Sequence, residues 1–391
     1  MTQLFTVSSY LAVKEIWRNL GRFLLVSLVI ALITLLVLFI AALGEGLGNG
    51  NREYISKLDA QLIVYQAKSD LLVGASRLGY DRLAAVQRIK GVADAGMLGT
   101  ANATIILPGN NAAPLKVSLM GVAPGHPGEP KVVTGRQLGS GLTREVILDR
   151  STALRSKLVV GDTLTIRTTQ GTTDKFFDLR VVGISDGQQY SLQPTIFLPL
   201  GTWDRVRPKS EAEINSTDLV GNVIIVKLND PTEAALVESR IKGQINNVET
   251  ASLDQAIQAL PGYTAQQSTL NTQGGFTLFI GILVIGGFFQ IQTLQKVPQI
   301  GVLKAIGTSN PAVAAASVIQ IVVITIIGVA IGAVLSFLFS LTFPPTVPIV
   351  FNGQTSAIAI IALLLIGPLG GLVSIRYAVR IEPLKALGLS S

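Results

Sequence analysis

Long uncharged apolar runs punctuate this chain and define its organisation. Residues 23–44, 271–294, 312–342 and 355–376 each reach the roughly 20 residues that a helix needs to cross a hydrocarbon core. Only Arg376, at the end of the last run, is charged. The pattern predicts an α-helical membrane protein with four transmembrane helices, 312–342 being long enough to tilt and Pro368 tolerated inside the fourth. The first run is too long for the apolar core of a signal peptide and has no convincing small-residue cleavage site behind it.

Between the first two runs, residues 45–270 change character. Short β-like segments occur at 60–66, 103–109, 115–122, 145–149, 162–168, 177–184, 195–200 and 222–228. Helical periodicity occupies 82–90, 231–245 and 253–259. The uncharged stretch 95–115 is broken by Asn, Gly and Pro and is no candidate span. This predicts a large α+β extracytoplasmic domain inserted between helices 1 and 2, with 343–354 a short Pro-rich external loop.

Residues 295–311 form a short polar-flanked segment wedged between two spans, too interrupted to cross a bilayer. Val297, Ile300, Leu303 and Ile306 recur at helical spacing. Pro298 suits a first-turn position, Gly307 a C-terminal cap, and Ser309 or Asn310 the start of the next helix with Pro311 just inside it. The segment is expected to be a cytoplasmic hairpin helix that docks a soluble partner or rests on the bilayer surface. Residues 1–22 place Tyr10, Val13, Trp17 and Leu20 on one stripe and Lys14, Arg18 and Arg22 on another. That arrangement fits a cytoplasmic amphipathic helix or the basic flank of the first span.

Charge then sets the orientation. Of 31 Lys and Arg, eight lie outside 45–270: Lys14, Arg18, Arg22, Lys296, Lys304, Arg376, Arg380 and Lys385, opposed only by Glu15 and Glu382. The basic excess flanks the apolar runs and is not a nucleic-acid footprint. Both termini, the hairpin 295–311 and the tail 377–391 are therefore expected in the cytoplasm. The chain has no Cys and one His, which excludes disulfides, thiolate chemistry and multi-His metal sites. The spans hold Thr34, Gln290 and Gln320 but nothing ionisable at mid-membrane, so proton relays and ion sites have nothing to work with. Gly328/Gly332 and Gly367/Gly371 are GxxxG pairs that permit close helix contact.

Local motifs carry less. No GxxxxGK[ST] loop exists, so any ATPase driving this chain is a separate polypeptide. G-I-S-D-G at 183–187 matches a nucleophile-elbow pattern around Ser185, but the following residues are turn-like and a base would have to be His126; the match reads as coincidence. GLGNG at 46–50 reads as a flexible exit from the first helix, and His126 as an exposed turn residue. No enzymatic activity, metal site or bound cofactor is expected of the chain itself.

The hairpin QKVPQIGVLKAIGTS, the stretch GRQL…REVILDRSTALRSKLVVGDTLTIRT…FDLRVVGI and the ending AVRIEPLKALG together resemble the permeases of the FtsX/MacB superfamily of ABC transporters (type VII). The first-helix exit and LVIGGFFQIQTLQK look most like the DevC- and HrtB-like exporter permeases. The resemblance implies a MacB-like periplasmic core domain, a homodimer in the cell membrane, two copies of a separate ATPase that binds the ATP, and a possible adaptor protein. It implies mechanotransmission, in which ATPase closure drives the external domain to export or extract a hydrophobic or amphiphilic substrate. The alternative is a signalling subunit that regulates an external partner such as a cell-wall hydrolase. By the same resemblance Gln299, Ile300, Gly301, Val302, Leu303, Lys304, Ala305, Ile306 and Gly307 inherit the ATPase-coupling role. Their apolar members would pack into the ATPase and Lys304 would meet an acidic rim. Pro298 and Gln299 stand where the family usually carries an Arg-Glu pair.

Overall fold

The structure is a computed structural model that describes residues 17, 20–107, 113–214, 220–344 and 347–380. Most of the expected N-terminal amphipathic segment, and the tail from residue 381, lie outside the described residues. Two compact units emerge: one comprises the residues up to Gly46 and from Gln267 onward, the other Leu47–Gln266.

In chain order, α1 (Leu20–Ser56) is followed by β1 (Leu62–Gln66), β2 (Leu78–Gly79), α2 (Tyr80–Gln87), β3 (Val92–Ile106), β4 (Leu115–Val122), β5 (Val132–Gly135) and β6 (Glu145–Asp149). Then come α3 (Arg150–Ser156), β7 (Thr163–Gln170), β8 (Thr173–Ser185), β9 (Thr195–Pro199), α4 (Leu200–Val206), α5 (Glu211–Ile214), β10 (Val220–Gly221) and β11 (Val223–Leu228). After a short 3₁₀ turn at Pro231–Glu233 follow α6 (Ala234–Gln244), β12 (Val248–Ser252) and α7 (Leu253–Gln258). The chain then turns helical: α8 (Tyr263–Gln295), α9 (Val297–Ala305), α10 (Asn310–Ser340) and α11 (Gly353–Arg380).

The Leu47–Gln266 unit is built on a ten-stranded mixed sheet ordered β12-β1-β11-β3-β4-β9-β6-β8-β5, with β7 against β3 and β8. Its central strands are apolar on both faces, because successive side chains point to opposite sides. Leu62 and Val64 enter one core and Ile63 and Tyr65 the other; Ile224 and Val226 likewise oppose Val223 and Ile225. Helices α2, α4 and α6 cover the first face, while α7 and the last turns of α1 cover the second.

Two expectations change here. β3 runs for 15 residues from Val92, although only 103–109 reads as a strand. Its glycines dilute the apolar signal, yet each serves a close approach: a Cβ at Gly96 would overlap Pro127, and at Gly99 would stand 2.5 Å from the Trp203 ring. The segment 46–50 is also not a flexible exit, because α1 continues unbroken through it to Ser56. A Cβ at Gly46 would overlap the Pro348 backbone, and one at Gly50 would stand 3.2 Å from Gln189 and Leu192. Gly46 and Gly50 therefore admit neighbours, and none of the glycines in 46–50 breaks the helix.

The last turns of α1 are tied into the sheet unit. Tyr54 Oη donates to Gly128 O at 2.7 Å, and its ring lies 5.5 Å from that of Phe197. The loop after β8 closes over them through Tyr54 N to Gln189 O, 3.1 Å, Leu192 N to Gly50 O, 2.9 Å, and Lys57 Nζ to Asp186 O, 2.8 Å. Beneath that loop, the fully buried Asp149 carboxylate caps α3, accepting from Ser151 N at 3.0 Å and Gln188 N at 2.8 Å. Burial raises its pKa to about 6, aided by Glu53, against the N–H donors that favour the anion. The folded state then binds this proton more tightly than the unfolded chain. Stability from this group is present below the unfolded value of 3.8 and is lost as pH rises through about 6. Asp149→Asn should flatten that slope in a pH series of thermal unfolding, and a wild-type slope in the variant would assign the effect elsewhere.

Ser185 ends β8, paired in register with Asp149. It is buried in a strand with no helix following, and His126 Nδ1 lies 2.9 Å from Asp94 Oδ1, so the nucleophile-elbow match has no structural counterpart.

α1, α8, α10 and α11 are long and apolar enough to cross a membrane. Within the helical unit they share one core that includes Ile30, Ile285, Ile324 and Ile366. Both GxxxG pairs lie at helix crossings: a Cβ at Gly332 would stand 2.5 Å from Ala31 O, while Gly367 and Gly371 receive Thr325 and Ile321 of α10. Among the described residues, no Asp, Glu, Lys, Arg or His is buried in these helices; their buried polar groups are hydroxyls, amides and Asn51.

Candidate functional site: the hairpin helix

The short helix α9 forms where its punctuation predicts. Pro298 occupies its first turn, where a missing N–H costs nothing. At the other end Gly307 takes φ +104, its N–H bonds Lys304 O at 3.0 Å, and Thr308 N bonds Leu303 O at 3.0 Å. These two bonds make a Schellman stop, which requires a residue that tolerates positive φ. Ser309 then takes the N-cap position of α10, where its carbonyl accepts from Ala312 N at 3.0 Å, with Pro311 in the first turn.

Packing divides the predicted coupling residues into two sets. Val297 and the buried Ile300 join Val313 of α10 and Ala378 of α11 in a small core, and Gly301 is buried beside them. Val302 (43% exposed), Leu303 (37%) and Ile306 (79%) remain open, together with Gln299, Ala305 and Gly307. The expected single stripe of Val297, Ile300, Leu303 and Ile306 is thus split. A nine-residue helix docked against two others buries one side and leaves apolar side chains on the other. Ile300 and Gly301 face the neighbouring helices, which leaves Val302, Leu303 and Ile306 on the open side of α9.

Lys304 is also engaged within the chain. Its ammonium donates to Val379 O at 2.6 Å, in the last turn of α11, where unsatisfied carbonyls attract cations. Partial burial holds its pKa below the ordinary lysine value. This contact turns the Lys304 side chain toward the end of α11.

Beside α9 lies a cleft of about 650 Å³. Lys296 and the buried Gln292 and Gln320 line it, together with Val302, Leu303 and Val313. Lys296 Nζ lies 3.4 Å from Gln320 Oε1 and 5.4 Å from the centre of the Phe23 ring. The Thr293 and Ser374 hydroxyls pair across the cleft wall, and Ser374 donates to Phe289 O at 2.9 Å. In the sequence Gln320 stands out only as a rare polar residue in an apolar run. Its partnership with Lys296 depends on how α10 packs against the end of α8.

Four helices long and apolar enough to cross a membrane, a short helix between two of them that leaves three apolar side chains exposed, and an α+β unit define a membrane protein. A family model for the MacB-like periplasmic core domain matches residues 23–244, and one for the FtsX-like permease C-terminal matches residues 272–383. The chain belongs to the FtsX/MacB-type ABC permeases. It is 25% identical over 378 residues, 97% of this chain and 99% of the other, to a Staphylococcus haemolyticus protein assigned by name as the HrtB permease of a hemin transport system. An uncharacterised ABC transporter permease of Mycobacterium tuberculosis is 23% identical over 78% of each chain. The solved periplasmic region of MacB from Actinobacillus actinomycetemcomitans is 12% identical, covering 51% of this chain and 91% of that one, with a TM-score of 0.37. As a permease of this kind the chain is a subunit of an ABC system, and ATP hydrolysis belongs to a partner ATPase.

Proposed function

We propose that the chain is the permease subunit of an ATP-driven exporter that works by mechanotransmission. Two copies pair in the membrane above two ATPase subunits, with termini and hairpin in the cytoplasm and the Leu47–Gln266 unit, inserted between the first and second spans, outside. The observation that carries this reading is the hairpin: Val302, Leu303 and Ile306 stay exposed on a helix anchored by its other side. Movement imposed on α9 would pass to α10 and α11 through the Ile300, Val313 and Ala378 contacts. The spans bury no charge or carboxylate among the described residues, which suits force transmission better than an ion-coupled pathway.

The cargo class is a hydrophobic or amphiphilic molecule such as a lipid, haem, drug or peptide. Haem, suggested by the name of the staphylococcal relatives, would have few of its usual protein ligands here. Cys is absent, Met97 and Met120 are fully buried in the sheet unit, and His126 is paired with Asp94.

Affinity purification of the full chain in mild detergent, followed by mass spectrometry, tests the proposal. A stoichiometric ATPase with its own phosphate-binding loop is the expected companion. A co-purified cell-wall hydrolase would favour regulation of an external partner over export. Recovery of an intact dimer with no ATPase would overturn the reading.

A further inference from the structure

The sheet unit carries a second cavity whose chemistry the hairpin does not use. It encloses about 460 Å³ beside the β7–β8 hairpin and α4, within the size range of small-molecule sites. Arg144, Arg205 and Lys209 line it. Lys209 is neutralised by Asp204 at 2.9 Å, but among the described residues neither Arg144 nor Arg205 has a carboxylate partner. The one acidic residue in the lining, Asp178, accepts the Thr165 hydroxyl at 2.7 Å. The same cavity is lined by Leu142, Phe176 and Ile214, large apolar side chains that the fold leaves exposed.

The backbone bearing these cations is held on several sides. Thr202 Oγ1 donates to Thr143 O at 2.7 Å and Arg180 N to Arg144 O at 2.8 Å. The buried Gln170 donates through Nε2 to Arg205 O at 2.7 Å. Two guanidiniums with no carboxylate ion-pair partner among the described residues, on fixed backbone beside an exposed apolar wall, combine the two halves of an amphiphile site: donors for an anionic oxygen and a surface for a hydrocarbon body. From this juxtaposition we propose that the cavity binds small single-headed anionic amphiphiles, with a carboxylate or phosphate on Arg144 and Arg205 and the apolar part against Leu142, Phe176 and Ile214. Its meaning as a cargo-handling site rests on the exporter reading; the binding itself does not.

The test uses the full chain in nanodiscs of neutral lipid, titrated with octanoate, octyl phosphate, inorganic phosphate and octyltrimethylammonium, and read by hydrogen exchange of individual peptides. Octanoate or octyl phosphate should protect the peptides around 140–145, 174–179 and 202–210, the two together showing which head group is preferred. Inorganic phosphate should need about tenfold more ligand, and the cationic probe should give no protection there. The double variant Arg144→Gln/Arg205→Gln should weaken the anionic probes by about tenfold or more, while Lys116→Gln, an exposed cation on β4, leaves them unchanged. Leu142→Ser, at an exposed position, should weaken octyl phosphate but not inorganic phosphate. Equal protection by the cationic probe, or an unchanged midpoint in the double variant, would overturn the proposal. The arginine variant should still co-purify with its ATPase, so failure of the cavity leaves the exporter reading standing.

Discussion

Val302→Asp should leave membrane insertion and dimerisation intact yet reduce the partner ATPase to its unstimulated rate. Val302 is exposed on α9, so the isolated chain loses little by the change. If the ATPase covers that side, the substitution places an unpaired carboxylate in an apolar interface, at a cost on the order of 3–5 kcal/mol. That corresponds to docking weakened by more than about a hundredfold. Ile306→Asp should behave similarly, because Ile306 is the most exposed apolar side chain of the hairpin. Ile300→Asp is a different experiment: it inserts a charge among Val297, Val313 and Ala378 and disturbs the hairpin's own anchorage. Comparing the rates of Val302→Asp and Ile300→Asp, with insertion monitored in parallel, separates docking from anchoring. Full stimulation by the Val302 variant would remove this side of the helix from the interface.

Trp203→Ala should be among the most destabilising single changes in the sheet unit, by about 3–5 kcal/mol. The indole is almost fully buried and rests on Gly99 and Gly121, which are register partners on β3 and β4. Its Nε1 donates to Leu119 O at 3.1 Å, and the Arg207 guanidinium lies 5.4 Å from the ring centre. With no Cβ on either glycine, nothing nearby can expand to fill the space the ring leaves. Because Trp203 seats α4 on the sheet, the loss should also reach the Arg205 cavity. Hydrogen exchange of the full chain would show faster exchange across β3, β4 and α4, with protection in α10 and α11 retained. A variant with wild-type protection in β3 and β4 would show that the ring contributes far less than its burial indicates. Gly121→Val should reproduce much of the effect from the opposite side, by pushing the ring outward.

Several features were legible in the residues because they are local. Four uncharged runs of span length, the strands 115–122 and 145–149, and the Pro298, Gly307 and Ser309 punctuation depend on hydropathy, alternation and backbone φ preferences. Each acts within a few residues. The family resemblance likewise rested on contiguous stretches. Other features were settled by distant partners. Glycines in 46–50 look like a helix exit until Pro348, Gln189 and Leu192 come close to them, and those in β3 look like a broken run until Trp203 and Pro127 approach. Nothing within 297–306 distinguishes Ile300 from Val302 as the inward residue, because α10 and α11 decide which side of α9 is covered. The anionic-amphiphile cavity is more dispersed still, joining Leu142 and Arg144 to Phe176, Arg205 and Ile214. Hydropathy and capping chemistry, written in the sequence alone, determined the four long apolar helices, the short hairpin helix and the α+β character of the Leu47–Gln266 unit. Tertiary packing alone decided which glycines are contacts, which side of the hairpin stays open and which arginines stand without a carboxylate partner among the described residues, because those properties belong to pairs of segments far apart in the chain.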